Sequence, residues 1–237
     1  MERHEMVSRE AWTEARVALL AKEKAQTRLR DEIAAERRAL PWVKVEKDYV
    51  FEGPDGPVRL ADLFEGRSQL IVYHFMFGPQ NEYGCPHCSF WADHYDGANW
   101  HLGQRDTTLV AISRAPLARL QAFRVRMGWK FKWLSSAGSD FNYDFQASFT
   151  PEQIGSGRAQ FNYAPVDPAL TRMADREGLS AFYRDDAGAV YHTYSTFARG
   201  IDLLNTTYNF LDLTAKGRDE HPGSPQDWVC HHDRYGA

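Results

Sequence analysis

Cysteine is scarce in this chain, with three in 237 residues. So few cannot form the disulfide framework of a small secreted domain, so a close pair of them is a redox or metal-binding pair instead. Long apolar runs are also missing: none is long enough to span a bilayer. Residues 1–5 are charged and lack the apolar stretch of a secretory leader. There is no excess of positive charge, since 28 Lys and Arg stand against 32 Asp and Glu. A net charge of -4 supplies no field to gather nucleic acid or anionic lipid. Neither partner is expected, and the expected location is the cytoplasm. What is plentiful is apolar and aromatic side chain, 43% and 14%, which excludes wholesale disorder and calls for one large core.

Residues 8–40 contain no helix breaker, and Trp12, Ala15, Leu19, Leu29 and Ile33 recur at helical spacing up to Pro41. A helical extension over residues 1–40 follows, as a surface helix or helical pair. Tyr49-Val50-Phe51 and Val58-Arg59-Leu60 flank the turn Gly53-Pro54-Asp55-Gly56, which predicts a hairpin. The run from Leu70 to Phe77 is almost wholly apolar and suits a central strand buried on both faces. A dithiol and a helix come next, then a strand over residues 107–113 and a helix over 116–127. A strand over 131–134 and a short helix over 139–145 complete the β-α-β order. Gly, Pro, Asn and Gln crowd residues 150–176, marking an insertion over about 149–177. Asp185-Asp186-Ala187-Gly188 then joins a closing hairpin. The expected organisation is the extension (1–40), an α/β domain (41–216) and a polar tail (217–237).

The chemistry is concentrated in Gly84-Cys85-Pro86-His87-Cys88. Proline directly after Cys85 suits the first position of a helix, where a missing N–H costs nothing. Cys85 is thereby the N-cap, where unpaired backbone N–H groups favour thiolate over thiol, and it is the expected nucleophile. Cys88, three residues on, shares its helical face and can close a disulfide, as the resolving thiol. His87 between them is placed to add positive charge.

The order hairpin, buried strand, Cys-Pro-His-Cys, helix, strand, helix, strand, hairpin resembles the thioredoxin superfamily, especially its peroxiredoxin-like branch. A closer likeness runs through Tyr73-His74-Phe75-Met76-Phe77-Gly78-Pro79, Gly84-Cys85-Pro86-His87-Cys88-Ser89-Phe90-Trp91-Ala92-Asp93, Val110-Ala111-Ile112-Ser113-Arg114-Ala115-Pro116, Gly138-Ser139-Asp140-Phe141-Asn142-Tyr143-Asp144-Phe145 and His192-Thr193-Tyr194-Ser195-Thr196. These segments resemble the bacterial thioredoxin-like family known as domain of unknown function 899. That resemblance implies an α/β, thioredoxin-like three-layer fold with a mixed central sheet, the helical extension, and the insertion before the last hairpin. It also implies thiol-disulfide oxidoreductase chemistry at Cys85, Pro86, His87 and Cys88, without a cofactor. Two positions depart from the wider pattern. Thioredoxins carry a cis-proline before the strand facing the dithiol, where Gly178-Leu179-Ser180-Ala181 has none. Peroxiredoxins carry Thr or Ser three residues before the reactive cysteine, where this chain has Glu82.

The competing reading is a metal-binding protein or metalloenzyme. Two thiolates with imidazoles suit Cu(I) or Zn(II), and Cys85, Cys88, His74 and His192 are the ligand set that this reading predicts, with His94 and His101 in reserve. Expected partners are a protein or low-molecular-weight thiol or disulfide, and a homodimer stays open. Arg114 and Arg184 are read as surface ion-pairing residues. Phe90, Trp91, Phe141, Tyr143 and Phe145 are read as core, and Cys230 as a bystander.

Overall fold

A computed structural model describes residues 4–166 and 174–236. The chain forms two compact units, Met1–Pro41 and Trp42–Ala237. In the first, α1 (Arg9–Ala39) is one uninterrupted helix, not a helical pair. The Ser8 side chain accepts a hydrogen bond from the Ala11 amide, which caps its start. None of its residues is buried.

The second unit is built on β1 (Val43–Lys44), β2 (Val50–Gly53), β3 (Gly56–Arg59), β4 (Gln69–His74), β5 (Thr107–Ser113), β6 (Lys132–Ser135), β9 (Gly178–Arg184) and β10 (Val190–Phe197). The sheet order is β1-β10-β9-β4-β5-β6-β2-β3. β4, β5 and β6 are parallel, and α4 (Leu117–Arg126) crosses from β5 to β6. β9 lies antiparallel to β4, and β10 antiparallel to β9. The sheet is thus mixed, as expected. Both hairpins form where the turn sequences place them, Gly53 opposite Gly56 and Arg184 opposite Val190.

Strand alternation divides the core in two. On one face Tyr73 and Phe75 pack with Trp91, Trp133 and Phe123. That layer is closed by α4 and by α2 (Pro86–Ala92) and α3 (Tyr95–Leu102). On the other face Leu70, Val72, Val110 and Ile112 pack with Phe182 and with Phe141 of α5 (Phe141–Asp144). Helices on both faces make the three layers.

The buried strand ends at His74, short of Phe77. The helical segment after the dithiol is two helices, separated at Asp93 and His94. The insertion holds α6 (Pro151–Gly155) and a small hairpin of β7 (Gln160–Phe161) and β8 (Ala164–Pro165); its residues 167–173 lie outside the described residues. The chain ends through a 3-10 turn (Ala198–Leu204), α7 (Thr206–Leu211) and a tail whose Val229 is buried in the Trp91 core. No helix among the described residues is long and apolar enough to cross a membrane.

Candidate active site

Cys85 is the N-cap of α2, with Pro86 in the first turn, the geometry that Cys-Pro specifies locally. The loop before it runs close under the sheet. The Cys85 amide donates to the Met76 carbonyl at 3.2 Å. A Cβ on Gly84 would come within 2.8 Å of the Phe75 ring and 2.9 Å of Phe123, so only glycine fits there. From the tail, His231 Nε2–H donates to the Gly84 carbonyl at 2.8 Å, and Arg126 donates to the other ring nitrogen at 3.2 Å. The C-terminal segment therefore holds the residue just before Cys85.

The two thiols differ in environment. Cys85 is half-buried and Cys88 fully buried. The neighbouring Cys88 thiol, and then the backbone amides of Cys88 and His87, hold Cys85 below the ordinary thiol value against the opposing effect of burial. Burial pushes Cys88 well up, and the neighbouring Cys85 adds to that. His87 acts on Cys85 through its amide; its side chain is exposed.

The sequence gives little notice of the carboxylate beside this pair. Glu177 immediately precedes β9, next to the position where thioredoxins carry the cis-proline; every described peptide bond is trans. Its carboxylate accepts a hydrogen bond from Tyr73 Oη at 3.2 Å, and the nearby Cys88 thiol favours its charged form. Burial nevertheless raises its pKa. Tyr73 also lies 3.3 Å from the Cys88 carbonyl and packs edge-on against Tyr95. The one signal in the sequence is an ionisable residue directly preceding a strand that alternates into the core. A cavity of about 680 Å³ opens beside Cys85, walled by Met76, Pro79, Tyr83, Arg114 and Asp175. Arg114 pairs with Asp175 at 2.7 Å, largely out of solvent, and Asp175 also accepts from Ser148 at 2.6 Å. This is a part-buried network and not the surface pair expected.

The metal reading requires correction. His74 and His192 do not join Cys85 and Cys88. His74 follows Tyr73 on β4, so its side chain takes the opposite face of the sheet, where it stacks on Phe141. It reaches Ser180 at 2.8 Å, while His192 reaches Ser195 at 2.7 Å. His94 meets Thr207, and His101 is exposed at the end of α3. Among the described residues no three His, Cys, Asp or Glu side chains converge on a point where an ion could sit. Arg184 donates to the Ala61 carbonyl and lies over Phe64. Phe90 and Trp91 are core on the dithiol side, and Phe141 is core on the other side, where Phe145 packs against it.

Known proteins place the chain in a wider setting. No functionally curated protein matches it. Among solved structures, peroxidoxin BcpB from Mycobacterium tuberculosis is 15% identical with a TM-score of 0.46, over 70% of this chain and 94% of that one. The bacterioferritin comigratory protein of Xanthomonas campestris is 10% identical with a TM-score of 0.44, over 67% and 88%. The yeast mitochondrial 1-Cys peroxiredoxin is 11% identical with a TM-score of 0.40, over 73% and 78%. A family model matches residues 1–235, and the chain belongs to that family, bacterial proteins of unknown function (DUF899).

Proposed function

We propose that this protein is a cytoplasmic thiol-disulfide oxidoreductase in which Cys85 attacks and Cys88 resolves. One juxtaposition supports the reading: a thiol held below the ordinary thiol pKa lies beside a buried, less acidic thiol that neighbours a buried carboxylate. The Cys85 thiolate attacks one sulfur of a substrate disulfide. That S–S bond breaks, the departing sulfur leaves as thiolate, and a mixed disulfide to Cys85 forms. Cys88 then passes its proton to Glu177 and attacks Cys85 Sγ. The Cys85–Cys88 bond forms, the second substrate sulfur is released as thiolate, and two electrons have moved from the protein to the substrate. Low-molecular-weight thiol such as glutathione runs the sequence backwards and restores the dithiol. The cavity beside Cys85 admits a small disulfide or the tip of a protein loop. Glu82 stands three residues before Cys85, so the peroxiredoxin hydroxyl is missing and disulfide exchange is favoured over peroxide reduction.

The test is equilibrium with glutathione redox buffers, read by mass spectrometry on alkylated protein, for the native chain and Cys85→Ser. The native chain is expected to interconvert reversibly between dithiol and disulfide and to reduce a model disulfide, and Cys85→Ser to do neither. A native protein that forms no reversible Cys85–Cys88 disulfide overturns the proposal.

A further inference from the structure

The cavity beside Cys85 holds a cationic donor and an anionic acceptor that the protein itself leaves unmet. Arg114 directly follows β5, and its guanidinium is held through two nitrogens and one face. Nε donates to Asp175 at 2.7 Å, Nη1 donates to the Tyr143 hydroxyl, and the group lies 5.0 Å from the centre of the Tyr143 ring. Nη2 donates to nothing among the described residues, yet it is not sealed from solvent. Asp175 is used just as unevenly. Its Oδ1 accepts from both Arg114 and Ser148, while Oδ2 accepts from nothing among the described residues. Both residues line the cavity, so one space is offered a fixed N–H donor and a carboxylate oxygen.

The surrounding wall keeps these atoms in place. A Cβ on Gly78 would stand 2.5 Å from Asp175 Oδ2 and 2.9 Å from Asn81 Oδ1, so glycine is what lets the two acceptor oxygens approach there. Arg119 donates to the Pro79 and Asn81 carbonyls at 2.9 and 2.6 Å, which fixes the rim loop. His231 adds no charge: it donates to Gly84 through Nε2 and accepts from Arg126 on Nδ1, so its ring is neutral. The charged side chains of the lining are then Arg114 against Asp175 and the exposed Glu82. A purely anionic ligand meets an excess of carboxylate. A purely cationic one leaves the guanidinium without the planar carboxylate that it matches.

A ligand with one carboxylate and one ammonium answers both groups, and Met76, Pro79 and Pro86 give the same cavity apolar wall for methylenes and sulfur. We propose that this cavity selects disulfides that carry an α-amino acid head, cystine or glutathione disulfide, with the carboxylate on Arg114 Nη2 and the ammonium on Asp175 Oδ2. The assignment rests on the disulfide-exchange reading above. With cystine, the Cys85 thiolate attacks one sulfur, the S–S bond breaks and one cysteine leaves as thiolate. Cys88 gives up its proton and attacks Cys85 Sγ, the second cysteine leaves as thiolate, and the Cys85–Cys88 bond forms. Cystine has then taken two electrons from the protein. Two equivalents of a low-molecular-weight thiol restore the dithiol and leave as a disulfide.

Three thioethers that cannot exchange sulfur test the head group by calorimetry on the reduced full chain at pH 7. S-methylcysteine carries both charges, 3-(methylthio)propionate only the carboxylate and 2-(methylthio)ethylamine only the ammonium. Each charged hydrogen bond is expected to be worth about tenfold or more, so S-methylcysteine should bind at least about tenfold more tightly than either. Arg114→Lys keeps a charge opposite Asp175 and removes the fork. It should weaken S-methylcysteine by about tenfold and leave the amine unchanged. In steady-state kinetics, kcat/KM for cystine or for glutathione disulfide should exceed that for the neutral bis(2-hydroxyethyl) disulfide by a similar factor, and the higher of the two shows which molecule supplies the head. Equal or undetectable thioether binding, or equal kcat/KM for all three disulfides, overturns the assignment and leaves disulfide exchange standing. A chain that reduces none of the three disulfides overturns both.

Discussion

Glu177 meets Cys88 at the point where a proton must leave before a second sulfur can attack. A carboxylate raised by burial beside that thiol accepts the proton at less cost than an ordinary one. Glu177→Gln keeps the shape and removes the base. General-base contributions are roughly 100-fold or more, so resolution of a mixed disulfide on Cys85 should slow by about 100-fold, while its formation hardly changes. Rapid-quench mass spectrometry separates the two steps, and equal slowing of both would refute the assignment. The acidity of Cys85 has its own control, because the Cys88 thiol is the largest contribution lowering it. Cys88→Ala should raise the pH midpoint of Cys85 alkylation, and Cys88→Ser, which keeps a donor, should raise it less. Identical midpoints would assign the acidity to the backbone alone. At this scale the sequence shows Cys85, Pro86 and Cys88, because a cap and an i, i+3 pair are local facts. It does not reveal Glu177, which is brought to the pair by the pairing of β9 with β4.

A short helix can aim Cys85 only if the loop feeding it is held, and that loop is squeezed between a ring on each side and the tail. Gly84 touches Phe75 and Phe123 where any Cβ would collide, and His231 fixes its carbonyl. Gly84→Ala must displace aromatic side chains of a close-packed core, an overpacking that costs about 1–3 kcal/mol. Urea denaturation should show that loss, together with a Cys85 alkylation midpoint shifted upward as the cap geometry is disturbed. An unchanged midpoint would mean the loop does not set the cap. Elements with local signals are legible: the β2–β3 hairpin from its Pro-Asp-Gly turn, β4 from its apolar run, and α2 from Cys-Pro. β1 is two residues paired to a distant edge, and the tail owes its place to Val229 and His231. Neither signal is periodic, so neither can be read along the chain.

Across the whole molecule one sheet serves two separate polar systems, and the parity of β4 decides which residue joins which. Tyr73 faces the thiols and His74 faces the serines, a one-residue distinction that sends the two to opposite faces. Histidines on buried strands are visible in the sequence, but their register with β9 and β10 is not, which is why spacing alone groups them with the cysteines. Their true position makes the fold acid-sensitive in a defined window. A buried His74 with a folded pKa of about 3 is harder to protonate than the same residue in the unfolded chain, near 6.5. The unfolded state therefore binds more protons as pH falls. The contribution of His74 is fully present above about pH 6.5 and drains away progressively down to about pH 3, below which it is flat. Each pH unit inside that window is worth about 1.4 kcal/mol, so lowering pH from 6.5 to 5 should cost about 2 kcal/mol through this residue. Carboxylates titrate in the lower half of the same range, so the quantity to measure is a difference. Urea midpoints at pH 6.5 and 5 for the native chain and for His74→Gln, a neutral polar replacement, should diverge by that amount. Parallel slopes would show that His74 takes up its proton inside the folded protein.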